Sequence, residues 1–175
     1  MPAGQGIYAN WRGFLRVILV MEQLCVAPDR HVLFLCTGNY YRSRYAEIIF
    51  SILAEKQRLS WTAASRGLQT AMGGCNIGPI SPLALAALTG HGICLPLPIR
   101  RPLQATAADF QSASIVIGMD ESEHRAMIVQ EFSPYAHRVE YWHIHDLDRS
   151  GPEAALTEVE VNVRALVARI VQLGR

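Results

Sequence analysis

His31-Val-Leu-Phe-Leu-Cys36-Thr-Gly-Asn-Tyr-Tyr-Arg42-Ser-Arg-Tyr-Ala46-Glu47 changes its periodicity half-way along. Residues 31–35 form a short apolar, β-prone run, which reads as a buried strand. From Ala46 the spacing is helical: Ala46, Ile49, Phe50, Leu53 and Ala54 recur on one face and Ile48 and Ile52 widen it, so this helix is expected to lie on a sheet. Glu47 suits the first turn, where a helix attracts negative charge. Between strand and helix, Cys36 and Arg42 stand at the two ends of a short loop. The N–H groups that open a helix lack intrahelical partners, so such a loop closes around a tetrahedral oxyanion through main-chain donors. Gly38 permits the tight turn. Arg42 carries a planar fork that takes two oxygens of one phosphoryl group, a geometry that lysine cannot copy. A cysteine facing these positive charges is expected as a thiolate at neutral pH, without a separate base. The plain structural readings are a buried inert thiol at Cys36 and a surface ion pair at Arg42. They fit less well, because both residues fall inside one phosphate-shaped loop.

Working outward, strand and helix patterns alternate. Ser60 to Ser65, Ala113 to Gly118 and Val139 to Ile144 read as further strands. Ser81 to Leu88, begun by Pro82, then Glu121 to Phe132 and Pro152 to Leu173 read as helices. The alternation predicts an α/β fold: a single-domain, doubly wound, four-stranded parallel sheet with helices on both faces. Ligands of such sheets bind at the carboxyl ends of the strands, where Cys36 and residues just past the fourth strand meet on one rim. The glycine-rich segment from Gly67 to Pro79 is expected to be a long loop flanking the site. The apolar stripe from Val159 to Val171 reads as core.

At 175 residues and 50% hydrophobic content, one domain can bury a substantial core. Lys and Arg number 16 against 15 Asp and Glu, a net charge of +1, so no broad attraction to nucleic acid or to a membrane surface is expected. Phe14 to Met21 is apolar but contains Arg16 and is far shorter than the roughly 20 residues of a membrane span. It lacks a small-residue cleavage site. Residues 1–28 are expected to be an N-terminal extension, with two readings open: a mobile arm, or an upstream stretch with Met21 as the start. The domain proper runs over 29–175. Cys25, Cys36, Cys75 and Cys94 show no CxxC pair and no zinc spacing, which suits free thiols in a reducing cytoplasm. His143-x-His145 lacks the further ligands of a metal site, so no metal is expected.

The run Val32-Leu-Phe-Leu-Cys-Thr-Gly-Asn-Tyr-Tyr-Arg-Ser43, followed by Ala46-Glu47, resembles the signature of the low-molecular-weight protein tyrosine phosphatases. Ser65-Arg-Gly67, Ser81-Pro82, Gly92-Ile93 and Ile115-Val-Ile-Gly-Met-Asp120 follow in that family's order, so the likeness spans about 31 to 173. A Cys-x5-Arg pair alone is weak, whereas the pair set between strand and helix is strong. The resemblance implies a cofactor-free phosphomonoesterase acting on phosphotyrosine proteins or small aryl phosphates. By the same resemblance Cys36 is the nucleophile, Arg42 holds the phosphoryl oxygens, Ser43 hydrogen-bonds the thiolate and Asn39 props the loop. Thr37, Gly38, Tyr40 and Tyr41 complete the phosphate loop. The family's general acid lies in an Asp-Pro pair. Asp146 matches by its distance from Trp142, but Leu147 replaces the proline and Asp148 is a second candidate.

Other departures carry expectations of their own. Arg44 stands where the family usually has proline, and phosphate binding can use its charge. Tyr41 stands where a second cysteine is often found, so Cys36 lacks its nearest resolving thiol. Tyr40 and Tyr41 are expected to stack on an aryl leaving group or narrow the entrance. Relatives that prefer phosphoarginine carry Thr at the position of Tyr40, so that substrate gains no support here. Two alternatives stay open: an arsenate reductase, which would need relay cysteines that the Met119-Asp120 strand end lacks, and a non-catalytic phosphate- or phosphotyrosine-binding module.

Overall fold

The computed structural model describes residues 30–73, 76–145 and 151–173. The expected extension at 1–28, Cys25 and Cys75, and Asp146, Leu147 and Asp148 all lie outside the described residues.

Strand β1 spans Arg30–Cys36 and leads through the loop into helix α1, Arg42–Lys56. Strand β2, Trp61–Gly67, is followed by a short 3₁₀ turn at Thr70–Gly73 and by α2, Pro82–Gly90. Next come α3, Ala107–Ser112, β3, Ile115–Gly118, and α4, Glu121–Phe132. A second 3₁₀ turn, Ser133–Arg138, precedes β4, Val139–Tyr141, and the chain ends in α5, Pro152–Leu173. The sheet order is β2-β1-β3-β4 and all pairs are parallel. The four-stranded parallel expectation holds. The fourth strand is shorter than the pattern suggested, because after Tyr141 only His143 keeps a bridge, to Asp120. Helix α3 and the two 3₁₀ turns went unread in the sequence, since each is too short to show a helical period.

β1 is apolar on both sides because it is central and covered on both faces. Val32 and Phe34 pack with Tyr45, Phe50, Ile117, Met119, Val159 and Val163, a core filled by α1 and α5. Leu33 and Leu35 face the other way, onto Phe110, Val116, Ile128 and Phe132. This second core is closed by α3 and α4. A capping box, Thr106 with Asp109, starts α3. The doubly covered β1 therefore delivers Cys36 to the carboxyl rim, only 3% exposed. Among the described residues no helix is long and apolar enough to cross a membrane.

Candidate active site

The loop between Cys36 and Arg42 is held from outside by its carbonyls. Leu68 N donates to Cys36 O at 2.9 Å, Gln69 N to Thr37 O at 2.9 Å and Ser81 N to Tyr40 O at 3.0 Å. In a trans peptide the next N–H points opposite to the carbonyl, so the amides of Thr37, Gly38 and Tyr41 point away from these partners. Helix α1 follows without a side-chain cap and with no acid in its first turn, as an anion-receiving N-terminus requires. Gly67 lies directly behind the loop, paired in register with Cys36. A Cβ there would sit 2.9 Å from Thr37 O and 3.0 Å from Asn39 N, so only glycine lets the two backbones approach this closely.

Asn39 is fully buried and left-handed, with φ 51°. Its Oδ1 accepts from Leu103 N at 2.9 Å and Arg100 Nη1 at 3.0 Å, two obligate donors, which fixes the amide's orientation. Its Nδ2 then donates to Ser65 Oγ at 2.8 Å and to Ser43 Oγ at 3.2 Å. The Ser43 hydroxyl lies 2.9 Å from Cys36 Sγ, and to a thiolate it can only donate. Arg100 and Glu47 close the network behind the loop. Arg100 Nη2 donates to Glu47 Oε2 at 2.7 Å, and Ser65 Oγ donates to the same oxygen at 2.7 Å. Glu47 therefore serves this network, and not the helix start that the sequence suggested.

The second support comes from the start of α4, which the sequence reading passed over. Asp120 caps α4, its Oδ1 accepting from Ser122 N at 2.8 Å. Its Oδ2 lies 2.6 Å from His145 Nδ1. Burial pushes the Asp120 carboxyl up, but the hydrogen bonds from Ser122 and His145 outweigh it and hold the group below the usual carboxylate range. Asp120 N donates to His124 Nδ1 at 3.0 Å, so Nε2 carries the ring proton and donates to Thr37 Oγ1 at 3.3 Å. The Thr37 hydroxyl in turn donates to Glu123 Oε1. Glu123 also meets Arg42 with both oxygens, Nη1–Oε2 at 2.8 Å and Nη2–Oε1 at 3.1 Å. Burial raises the Glu123 carboxyl, but hydrogen bonds from His124 and Arg42 and the charge of Arg42 hold it far below its ordinary value. Ile144 O accepts from Arg42 Nη1 at 3.0 Å, which ties the segment after β4 to the same guanidinium.

Cys36, Thr37, Gly38, Tyr40, Tyr41, Arg42 and Glu123 share the wall of one cavity of about 380 Å³. Met72, Gly73 and Asn76, from the segment expected to flank the site, line it too. Cys36, Arg42, Ser43, Asn39, Thr37, Gly38 and Tyr40 thus come together as the sequence suggested. Tyr41 is 6% exposed and belongs to the core with Tyr45 and Ala46 while it also lines this cavity. Tyr40 stays at the wall, its hydroxyl donating to Ile77 O. Arg44 is corrected. It turns away from the phosphate loop, lies 3.4 Å from Glu47 and lines a separate groove with Ile48, Ile93, Pro98 and Arg100. Burial and the neighbouring Arg100 hold its guanidinium below its ordinary value, against the opposing pull of Glu47. His145 is engaged with Asp120, and among the described residues no three His, Cys, Asp or Glu side chains converge as metal ligands do.

The sequence model of the low molecular weight phosphotyrosine protein phosphatases matches residues 31–172, from β1 into α5. The chain belongs to this family. It is 32% identical over 108 residues to the protein-arginine-phosphatase of Bacillus subtilis (strain 168), a stretch of 62% of this chain and 67% of that protein. It is 35% identical over 99 residues to the low molecular weight phosphotyrosine protein phosphatase of Sus scrofa, 55% of this chain and 58% of that one. Among solved structures, YfkJ from Bacillus subtilis superposes with a TM-score of 0.70 at 24% identity, over 83% of this chain and 97% of that one. Vibrio vulnificus Wzb, in complex with benzylphosphonate, gives 0.67 at 18% identity, over 80% and 98%. These likenesses establish the shared fold, and the family is one of cysteine phosphatases acting on phosphorylated proteins.

Proposed function

We propose that this chain hydrolyses phosphomonoesters in two steps through a cysteinyl-phosphate on Cys36. The observation that carries the reading is one cavity whose wall holds a buried cysteine at 2.9 Å from a serine hydroxyl together with the guanidinium of Arg42. Cys36 Sγ attacks phosphorus in line with the leaving oxygen and the P–O bond breaks. Main-chain N–H groups of the loop and Arg42 take up the charge on the equatorial oxygens. Asp146, next in the chain after His145, is assigned the proton for the leaving oxygen. In the second step the same carboxylate takes a proton from water, which attacks phosphorus and releases the thiolate to the Ser43 hydroxyl and inorganic phosphate to solvent. Residues 29–175 form the catalytic unit in this reading, and 1–28 extend it.

Phosphotyrosine proteins and small aryl phosphates are the proposed substrates. The Tyr40 ring on the cavity wall, its hydroxyl fixed on Ile77, gives an aryl group a flat surface to rest on. A thiolate that must stay reduced points to a reducing compartment such as the cytoplasm. The deciding test is Cys36→Ser assayed with p-nitrophenyl phosphate and, in parallel, phosphotyrosine and phosphoarginine. Wild type should turn over the aryl phosphates, and the variant should lose turnover while it still binds inorganic phosphate. Turnover retained by Cys36→Ser refutes covalent catalysis, and an inactive wild type that binds phosphate marks a binding module. Preference for phosphoarginine would reassign the leaving group.

A further inference from the structure

Guanidinium geometry limits how one arginine serves two anions. Its five N–H donors lie in a plane, with an end-on pair shared by Nη1 and Nη2, a side-on pair formed by Nε and the outer Nη2 hydrogen, and one outer Nη1 hydrogen. In Arg42 the end-on pair goes to Glu123, at 2.8 and 3.1 Å, and Nη1 also donates to Ile144 O at 3.0 Å. Glu123 is itself held: its Oε1 accepts from the Thr37 hydroxyl, which is backed by His124, fully buried at 3.3 Å from Thr37 Oγ1. One carboxylate from the first turn of α4 thus ties the second residue of the loop to its last.

We propose, on the reading that this chain is a phosphatase, that Glu123 is a positioning residue which holds the guanidinium plane of Arg42 and the Thr37 hydroxyl in one fixed arrangement at the two ends of the phosphate loop. The clamp opposes ground-state binding, because a carboxylate beside the cavity repels the substrate dianion. It assists the transition state, where both equatorial oxygens must meet donors already in place. Glu123 therefore acts on kcat more than on KM. The opposite role, an internal anion that competes with substrate for Arg42, predicts the reverse pattern and gives the proposal its refutation.

The test compares wild type, Glu123→Gln and Glu123→Asp as full chains, each normalised to the folded fraction from its melting curve. The readouts are kcat and KM for p-nitrophenyl phosphate and inhibition by inorganic phosphate and by vanadate, the latter a mimic of the five-coordinate phosphorus. Glu123→Gln should lower kcat about 10- to 100-fold, by analogy with the loss when the outer hydrogen-bond partner of a metal ligand is removed. KM and phosphate inhibition should hold or tighten, and vanadate inhibition should weaken in step with kcat. Glu123→Asp keeps the charge but is one methylene shorter, and should fall between the two. Unchanged or raised kcat with tighter phosphate and vanadate overturns the proposal in favour of competition. Lowered stability with unchanged kcat per folded molecule overturns it in favour of a structural role. An inactive wild type refutes the phosphatase reading itself, whereas an active wild type matched by Glu123→Gln refutes only the positioning role.

Discussion

Asn39→Ala tests the support behind the loop, because this one side chain links four partners at a strained backbone position. Alanine at φ 51° bears the full left-handed cost of about 1–2 kcal/mol, which asparagine relieves through its short, locally hydrogen-bonding side chain. It also deletes the bonds to Ser43, Ser65, Arg100 and Leu103. Arg100 and Leu103 are partly exposed and regain water, so those two losses are discounted. The bonds to the fully buried hydroxyls of Ser43 and Ser65 are worth about 0.5–1.5 kcal/mol each. Together the loss is about 2–5 kcal/mol, which in a domain of this size lowers Tm by about 4–20 °C. Asn39→Gly loses the same bonds but not the strain. Offset by the freedom glycine adds to the unfolded chain, it should recover about 0.5–1 kcal/mol relative to alanine. Thermal and urea melts of the three proteins, with and without phosphate, read both quantities. An alanine variant that melts within about 2 °C of wild type, or a glycine variant no better than alanine, would show that Asn39 does not hold the loop.

Gly67→Ala drives a Cβ against Thr37 O and Asn39 N, backbone atoms that cannot rotate aside. It should cost about 1–3 kcal/mol and at least about 10-fold in kcat, and unchanged kinetics would show that the loop yields freely. Asp146→Ala should slow esters of poor leaving groups far more than nitrophenol, while the same pattern in Asp148→Ala would move the acid role there. The Glu123 carboxyl lies below its ordinary value of 4.5 when folded, so its contribution to stability is present above that pH and is lost as the pH falls beneath it. The stability gap between wild type and Glu123→Gln should accordingly be widest near neutrality and close in acid. A gap independent of pH would contradict the ion pair with Arg42.

The loop and its flanks were legible because their determinants are local. A strand-to-helix change of period, Gly38 in a tight turn and the Cys36-to-Arg42 spacing all act within a dozen residues, while the Asp120 cap starts Glu121–Phe132 and an apolar stripe marks Pro152–Leu173. Arg44 departs from expectation because spacing along the chain does not tell which way a side chain leaves the first turn of a helix. Arg44 is drawn to Glu47.

By itself the sequence determined the element order, hence a parallel sheet with Cys36 at the carboxyl rim, and the loop that joins Cys36 to Arg42. Only the tertiary structure decided what stands behind and across from that loop. Arg100 reaches Asn39 from 61 positions away and Glu123 reaches Arg42 from 81. Such partners carry no periodic or motif signal, because a hydrogen bond depends on where folded elements meet and not on the distance between residues along the chain.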